Sequence, residues 1–141
     1  MKPFDSDLYE RDDNAKYIVI DWLATKDINA IVNPDEYGID LLGEGHLGNY
    51  GIEVEVKQNW SGAKFPFPTI HYSARKKKFI DAAENIRFVT LNKEWTHLCA
   101  VSGETLRQAK IVTKDTKYTK AEEFIEIPIE QTRIYDIYAD L

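Results

Sequence analysis

The amino-acid sequence predicts an α/β fold in which helices flank a mixed central sheet. Three observations lead there. A leading stretch carries apolar residues at helical spacing, a middle segment alternates strictly with period two, and a second helical stretch precedes further strand-like runs. With 141 residues, 43% hydrophobic and 12% aromatic, the chain can bury a real core and is too apolar for disorder. A single domain over residues 1–141 is expected.

Asp5-Ser6-Asp7 supplies helix-starting residues, and Leu8, Ala15, Ile18, Val19 and Trp22 then recur at helical spacing. This predicts a helix over about 7–25. Residues 28–32 suit a short strand, ended by the turn signal Asn33-Pro34-Asp35. Residues 37–42 read as a second strand and residues 43–49, with three of the seven glycines, as a flexible connector. Tyr50-Gly51-Ile52-Glu53-Val54-Glu55-Val56-Lys57 alternates, so a hairpin with a longish loop is expected. Residues 60–70 are irregular, interrupted by Pro66 and Pro68. A second helix fits 73–84. Residues 86–91 and 95–101 read as strands joined by Asn92-Lys93-Glu94, and a short helix follows over about 102–109. In Phe124-Ile125-Glu126-Ile127-Pro128-Ile129, the proline marks an edge strand or a strand end.

Composition excludes several chemistries. A lone cysteine, Cys99 in an apolar run, rules out an intrachain disulfide, and no His/Cys cluster has zinc spacing. No phosphate-cradling glycine motif is present. No apolar leader or stretch of transmembrane length is found, so a cytoplasmic protein with no membrane partner is expected.

The chemistry concentrates on the alternating strand. Glu53, Glu55 and Lys57 share one face, while Ile52, Val54 and Val56 point the other way and can pack on a helix. Asp40, between Ile39 and Leu41, would be brought beside Glu55 and Lys57 by hairpin pairing. Two adjacent carboxylates repel unless a cation intervenes, and hard oxygen ligands suit Mg²⁺ or Mn²⁺. Such a centre, with Lys57 beside it, has the parts for phosphodiester hydrolysis. Taken alone, Glu53 to Lys57 reads more readily as a half-exposed strand of an antiparallel sheet; Asp40, the glycine-rich link and the leading helix reverse that preference.

Gly38-Ile39-Asp40, a glycine-containing loop and Glu55-Val56-Lys57 together resemble the PD-(D/E)XK nuclease superfamily, which includes restriction enzymes, archaeal-type Holliday-junction resolvases and phage nucleases. Ile39 stands where that family often has proline. The resemblance implies a restriction endonuclease-like core, helix-strand-strand-strand-helix-strand, over about 7–101, with 102–141 as an extension outside it. It implies Asp40, Glu55 and Lys57 as catalytic residues, and Asp40, Glu55 and the Val56 carbonyl as ligands of Mg²⁺ or Mn²⁺. Glu53 then falls to the surface or to a supporting role, since the family needs one acid there. Many members add an acid from the first helix; Asp7, Glu10, Asp12 and Asp13 are candidates, and all four are equally suited to the helix dipole. Gln58 is a candidate contact to phosphate or water, or simply a polar strand end.

Net charge is −6, unfavourable for a nucleic-acid binder, yet residues 58–79 hold no acid at all. Arg75, Lys76, Lys77 and Lys78 open the second predicted helix, and Lys64 and His71 precede them. In the family this helix packs beside the active site, so these six residues are expected to meet DNA phosphates. Arg75 should lean inward, with Lys76 and Lys77 outward. Trp60, Phe65 and Phe67 suit core packing more often than stacking on unpaired bases. The expectation is a Mg²⁺-dependent deoxyribonuclease, a homodimer if it cuts both strands, in the cytoplasm or in a host's if phage-encoded. A non-catalytic nuclease-like binding module and RNA cleavage are the alternatives.

Overall fold

The computed structural model describes residues 6–118 and 120–140, apart from the side chains of 6–13 and 140. The chain begins with α1 (Ser6–Ala24) and continues through β1 (Asn29–Val32), β2 (Leu41–Gly45) and β3 (Gly48–Val56). It then forms β4 (Thr69–Ser73), a 3₁₀ helix (Ala74–Phe79), β5 (Asn85–Leu91), β6 (His97–Ser102) and α2 (Gly103–Gln108). The last elements are β7 (Lys110–Lys114), β8 (Glu122–Pro128), a 3₁₀ turn (Ile129–Gln131), β9 (Arg133–Asp136) and α3 (Ile137–Asp140). Among the described residues no helix is long and apolar enough to cross a membrane.

Six strands form a mixed sheet in the order β1-β2-β3-β5-β6-β9. Only β3 and β5 run parallel. A smaller antiparallel sheet, β4-β8-β7, lies apart from it. Strand alternation assigns the two faces of the large sheet to two apolar cores. Ile52, Val54, Val89, Leu91 and Leu98 join Ala15, Val19, Trp22 and Leu23 of α1 in one. Ile86, Phe88, Cys99 and Val101 join Ile70, Tyr72, Ile125 and Ile127 of the small sheet in the other. α2 closes that second core with Leu106.

Four expected elements differ, each for a visible reason. The strand expected at 37–42 is a turn followed by β2 from Leu41. Asn33 accepts from the Asp35 amide and donates to the Ile39 carbonyl, and Asp35 accepts from the Tyr37 amide. Such side-chain bonds offer the backbone an alternative to a ladder. The connector expected at 43–49 is mostly strand, and its loop is only His46-Leu47. Added Cβ atoms on Gly43 and Gly45 would come within 3.1–3.4 Å of Ile28 and Tyr50, so these glycines make room for side chains rather than supply slack. Gly48 follows the turn at φ +103°, a conformation that favours glycine.

The helix expected at 73–84 is only a six-residue 3₁₀ segment, Ala74–Phe79, directly after β4. Residues 102–141, expected as an addition, supply a central strand to the small sheet through β8 and an edge strand to the large one through β9. Pro128 ends β8, where its missing N–H does least damage.

Two polar devices hold the frame. Buried Asn92 accepts from the Thr96 and His97 amides and donates to the Gly62 carbonyl, fixing the β5–β6 turn. Ser102 accepts from the Thr105 amide and caps α2. Ser102→Ala is expected to cost about 1 kcal/mol, measured by urea unfolding; no change would mean the cap is replaced by water at no cost.

Candidate active site

β2 and β3 set the first part of the site. Leu41 pairs with Ile52, so Asp40, one residue earlier, stands opposite Glu53. The Asp40 amide donates to Glu53 Oε1 at 3.1 Å, and Asp40 Oδ2 accepts from the Val54 amide at 2.8 Å. The Asp40 carboxylate is thereby held on the backbone of β3, between Glu53 and Glu55. Lys16 of α1 reaches its other oxygen at 3.6 Å.

The second part comes from the face of β3 that meets the small sheet. Lys57 Nζ donates to Glu55 Oε1 at 2.9 Å and to the His71 carbonyl of β4 at 3.1 Å. Lys76, from the 3₁₀ segment, puts its ammonium 3.3 Å from Glu53 Oε2 and 3.6 Å from Glu55 Oε2. Below them the Tyr72 and Thr90 hydroxyls share a 2.7 Å hydrogen bond, and Thr90 is the β5 partner of Glu55.

Three carboxylates, Asp40, Glu53 and Glu55, meet three ammonium groups, Lys16, Lys57 and Lys76. Glu53 is only 7% exposed. Burial, and then the neighbouring Asp40 charge, push its carboxyl up to about 7, and Lys76 offsets only part of this. Burial works against the Lys76 charge, but Glu55, Glu53 and Asp40 outweigh it and hold that ammonium above its ordinary value. Glu55 Oε2 is buried and accepts no hydrogen bond.

The structure brings Asp40, Glu55 and Lys57 to one end of β3, with the last strand residue, Val56, between the two that flank it. His71 contributes its carbonyl there, while its ring pairs with Glu126 at 2.9 Å and Lys114 at 3.2 Å. The other cationic candidates are rearranged. Arg75, expected inward, has a side chain 86% exposed, whereas Lys76, expected outward, enters the acid cluster. The cause is helical pitch. In an α-helix Arg75 would sit over Phe79 at i−4, but in the 3₁₀ segment Lys76 does so at i−3. Lys64, Lys77 and Lys78 are exposed, as is Gln58 beyond the strand end. The side chains of Glu10, Asp12, Asp7 and Asp13 lie outside the described residues.

Glu53, expected at the surface or in support, is the most buried acid of the cluster. Its position was legible in the i, i+2 spacing with Glu55; its burial was not, because the 3₁₀ segment whose Lys76 meets it comes from distant sequence. Lys16 had no sequence signal, being one polar residue on a long helix.

Among the described residues no group of three or more His, Cys, Asp or Glu side chains is arranged to hold a metal ion. The smaller set fits a hard cation nonetheless. Asp40 and Glu55 offer oxygens, Glu55 Oε2 lacks a hydrogen-bond donor, and the Asp40 charge that, after burial, raises Glu53 is a repulsion that a divalent ion relieves.

Comparison with known proteins gives a fold match. No family model and no curated protein sequence matches the chain. The 1.6 Å structure of the Archaeoglobus fulgidus Holliday junction resolvase Hjc matches with a TM-score of 0.55, at 10% identity, over 84% of each chain. The fold is therefore restriction endonuclease-like, a mixed α/β architecture with its mixed sheet flanked by helices.

Proposed function

We propose that this chain is a metal-dependent nuclease of the PD-(D/E)XK type that hydrolyses phosphodiester bonds in DNA. One observation carries the reading. A carboxylate from the start of β2 is held against β3 between two acids of that strand, with the Lys57 ammonium 2.9 Å from the second. That arrangement stands on the fold of a protein described as a Holliday junction resolvase.

Asp40, Glu55 and the Val56 carbonyl would hold Mg²⁺ or Mn²⁺, which when bound supplies Lewis-acid polarisation and a more acidic water. Asp40 and Glu55 bring the negative charge that recruits the cation. Lys57, fixed by Glu55 and the His71 carbonyl, presents a positive charge where negative charge would develop on the phosphoryl oxygens. Glu53 holds the Asp40 amide and orients it. Lys76 is the counter-ion of Glu53 and Glu55. Lys64, Lys77 and Lys78, exposed to solvent, are available to phosphates further along the strand.

One observation favours the second reading, a non-catalytic binding module: Lys76 already neutralises the acids. Incubation with plasmid, single-stranded DNA, a branched junction and RNA separates the two. Cleavage with Mg²⁺ or Mn²⁺ that stops in EDTA is expected, with DNA cut in preference to RNA. Binding without cutting under either metal would discard the nuclease reading. A homodimer, needed if two strands are cut together, would be read from the sedimentation velocity of the same sample.

A further inference from the structure

We infer that the cavity beside Lys57 is a binding site for one unpaired nucleotide of single-stranded DNA, so that the substrate is DNA with an unpaired segment rather than intact duplex. This rests on the nuclease reading and names its substrate class.

The cavity has a volume of about 430 Å³ and is lined by Lys57, Phe65, Phe67, Thr69, His71 and Lys114, among others. That volume lies in the lower part of the range for small-ligand sites, roughly 300–1,000 Å³. Its two ends differ in chemistry. Lys57 and Lys114 supply two ammonium groups. The Lys114 ammonium can only donate, so His71 Nδ1 accepts from it and the opposite ring N–H donates to Glu126. Phe65 and Phe67 supply aromatic surface at the other end.

The aromatic end is fixed before any ligand arrives. Phe65 packs edge-on against fully buried Trp60 at 5.3 Å between centroids, and Phe67 packs edge-on against Phe65 at 5.8 Å. Phe67 is the outer member of this ladder and is 43% exposed. Pro66 and Pro68 restrict the backbone on either side of it, and the Pro68 carbonyl accepts from the Ile129 amide. An exposed, immobilised phenyl ring is a stacking platform, and every base has a face to lay on it.

In a duplex, both faces of a base are covered by its neighbours, so only an unpaired base can enter. A phosphate beside Lys57 then lies next to the acid cluster, because Lys57 lines the cavity and pairs with Glu55. Cavity and catalytic centre share a wall, which places the unpaired nucleotide adjacent to the bond that is cut.

The test is fluorescence anisotropy in EDTA, where nothing is cleaved, with end-labelled single-stranded DNA and the same sequence as blunt duplex. Phe67→Ala is expected to weaken single-strand binding about five- to a hundred-fold and duplex binding by less than about two-fold. Phe67→Leu, which keeps apolar bulk in the ladder but removes the ring, should weaken it similarly; this guards against a folding defect. Lys114→Ala should weaken binding and flatten its salt dependence. Equal losses on single strand and duplex, or wild-type single-strand binding by a folded Phe67→Leu, would overturn the site. Metal-dependent cutting of duplex by a chain whose Phe67 variants bind normally would leave the nuclease reading standing without this pocket. Phe67-dependent single-strand binding with no cutting under any metal would do the reverse.

Discussion

Lys57→Ala and Asp40→Asn should each lower the rate of DNA cleavage by about 10²- to 10³-fold and leave the fold intact. The two changes remove different things. Lys57→Ala deletes an ammonium that now rests on Glu55 and the His71 carbonyl. It leaves Glu55 Oε1 without that donor, but Lys76 remains near the same carboxylate at 3.6 Å, so stability should change little. Asp40→Asn keeps an oxygen that can still accept from the Val54 amide, yet removes one of the two proposed anionic ligands. Its signature is therefore a loss of Mn²⁺ affinity, read by calorimetry, together with a rise in the metal concentration needed for cleavage. Lys57→Ala should leave Mn²⁺ binding near wild type. If both variants cut DNA at the wild-type rate, Asp40 and Lys57 are structural and another centre must be sought. If Asp40→Asn binds Mn²⁺ as tightly as wild type, the carboxylate is not a ligand.

The second large effect concerns stability. The Glu53 carboxyl titrates at about 7 in the folded chain, against 4.5 as its ordinary value. Between these values the folded chain holds a proton that the unfolded chain has released, so raising the pH across this window destabilises the fold. The total loss is on the order of 3 kcal/mol from the size of the shift; above about pH 7 it is complete and grows no further. Glu53→Gln removes the term while keeping a carbonyl oxygen for the Asp40 amide. In EDTA the variant should gain on wild type as the pH passes from about 5 to above 7, measured by urea unfolding. Its Lys76 contact is weakened, which trims the gain, but the Lys76–Glu55 contact persists. Parallel stability profiles for the two proteins over that range would show that Glu53 is not held protonated by the fold.

The pattern of particular residues explains how much could be read without coordinates. Local pattern located α1, β1, β3, β5, β6 and α2, each within one to three residues: α1 and β3 by periods of 3.6 and 2, the others by short apolar runs or capping residues bounded by turn signals. The Asp40–Glu55–Lys57 constellation was legible for the same reason: alternation puts Glu55 and Lys57 on one face, and a hairpin carries Asp40 to it. β2 was misplaced because Gly43 and Gly45 look like slack until Tyr50 and Ile28 are seen filling the space above them. Phe79, Ala82, Ala83 and Ile86 fall at helical spacing, so 73–84 reads as an α-helix, but the chain turns with 3₁₀ pitch and only over Ala74–Phe79. That one difference exchanged the roles of Arg75 and Lys76. The C-terminal third shows its alternation in Phe124 to Ile129, but alternation does not name a partner strand. Only the pairing of Ile125 with Tyr72 reveals that β8 is central to the small sheet.

By itself, then, the order of residues determined which side chains share a face, where the acids and bases of β3 fall, and that helices cover a mixed sheet. These follow from backbone geometry over a few residues, which is the range that local sterics and hydrogen bonding reach. Which face is buried, and under what, was decided by contacts between residues 53–57, 71–76 and 122–128. Burial is a property of the assembled layers. Desolvation of Glu53, the Lys76 counter-ion and the cavity beside Lys57 arise only once the small sheet and the 3₁₀ segment after β4 are assembled against β3.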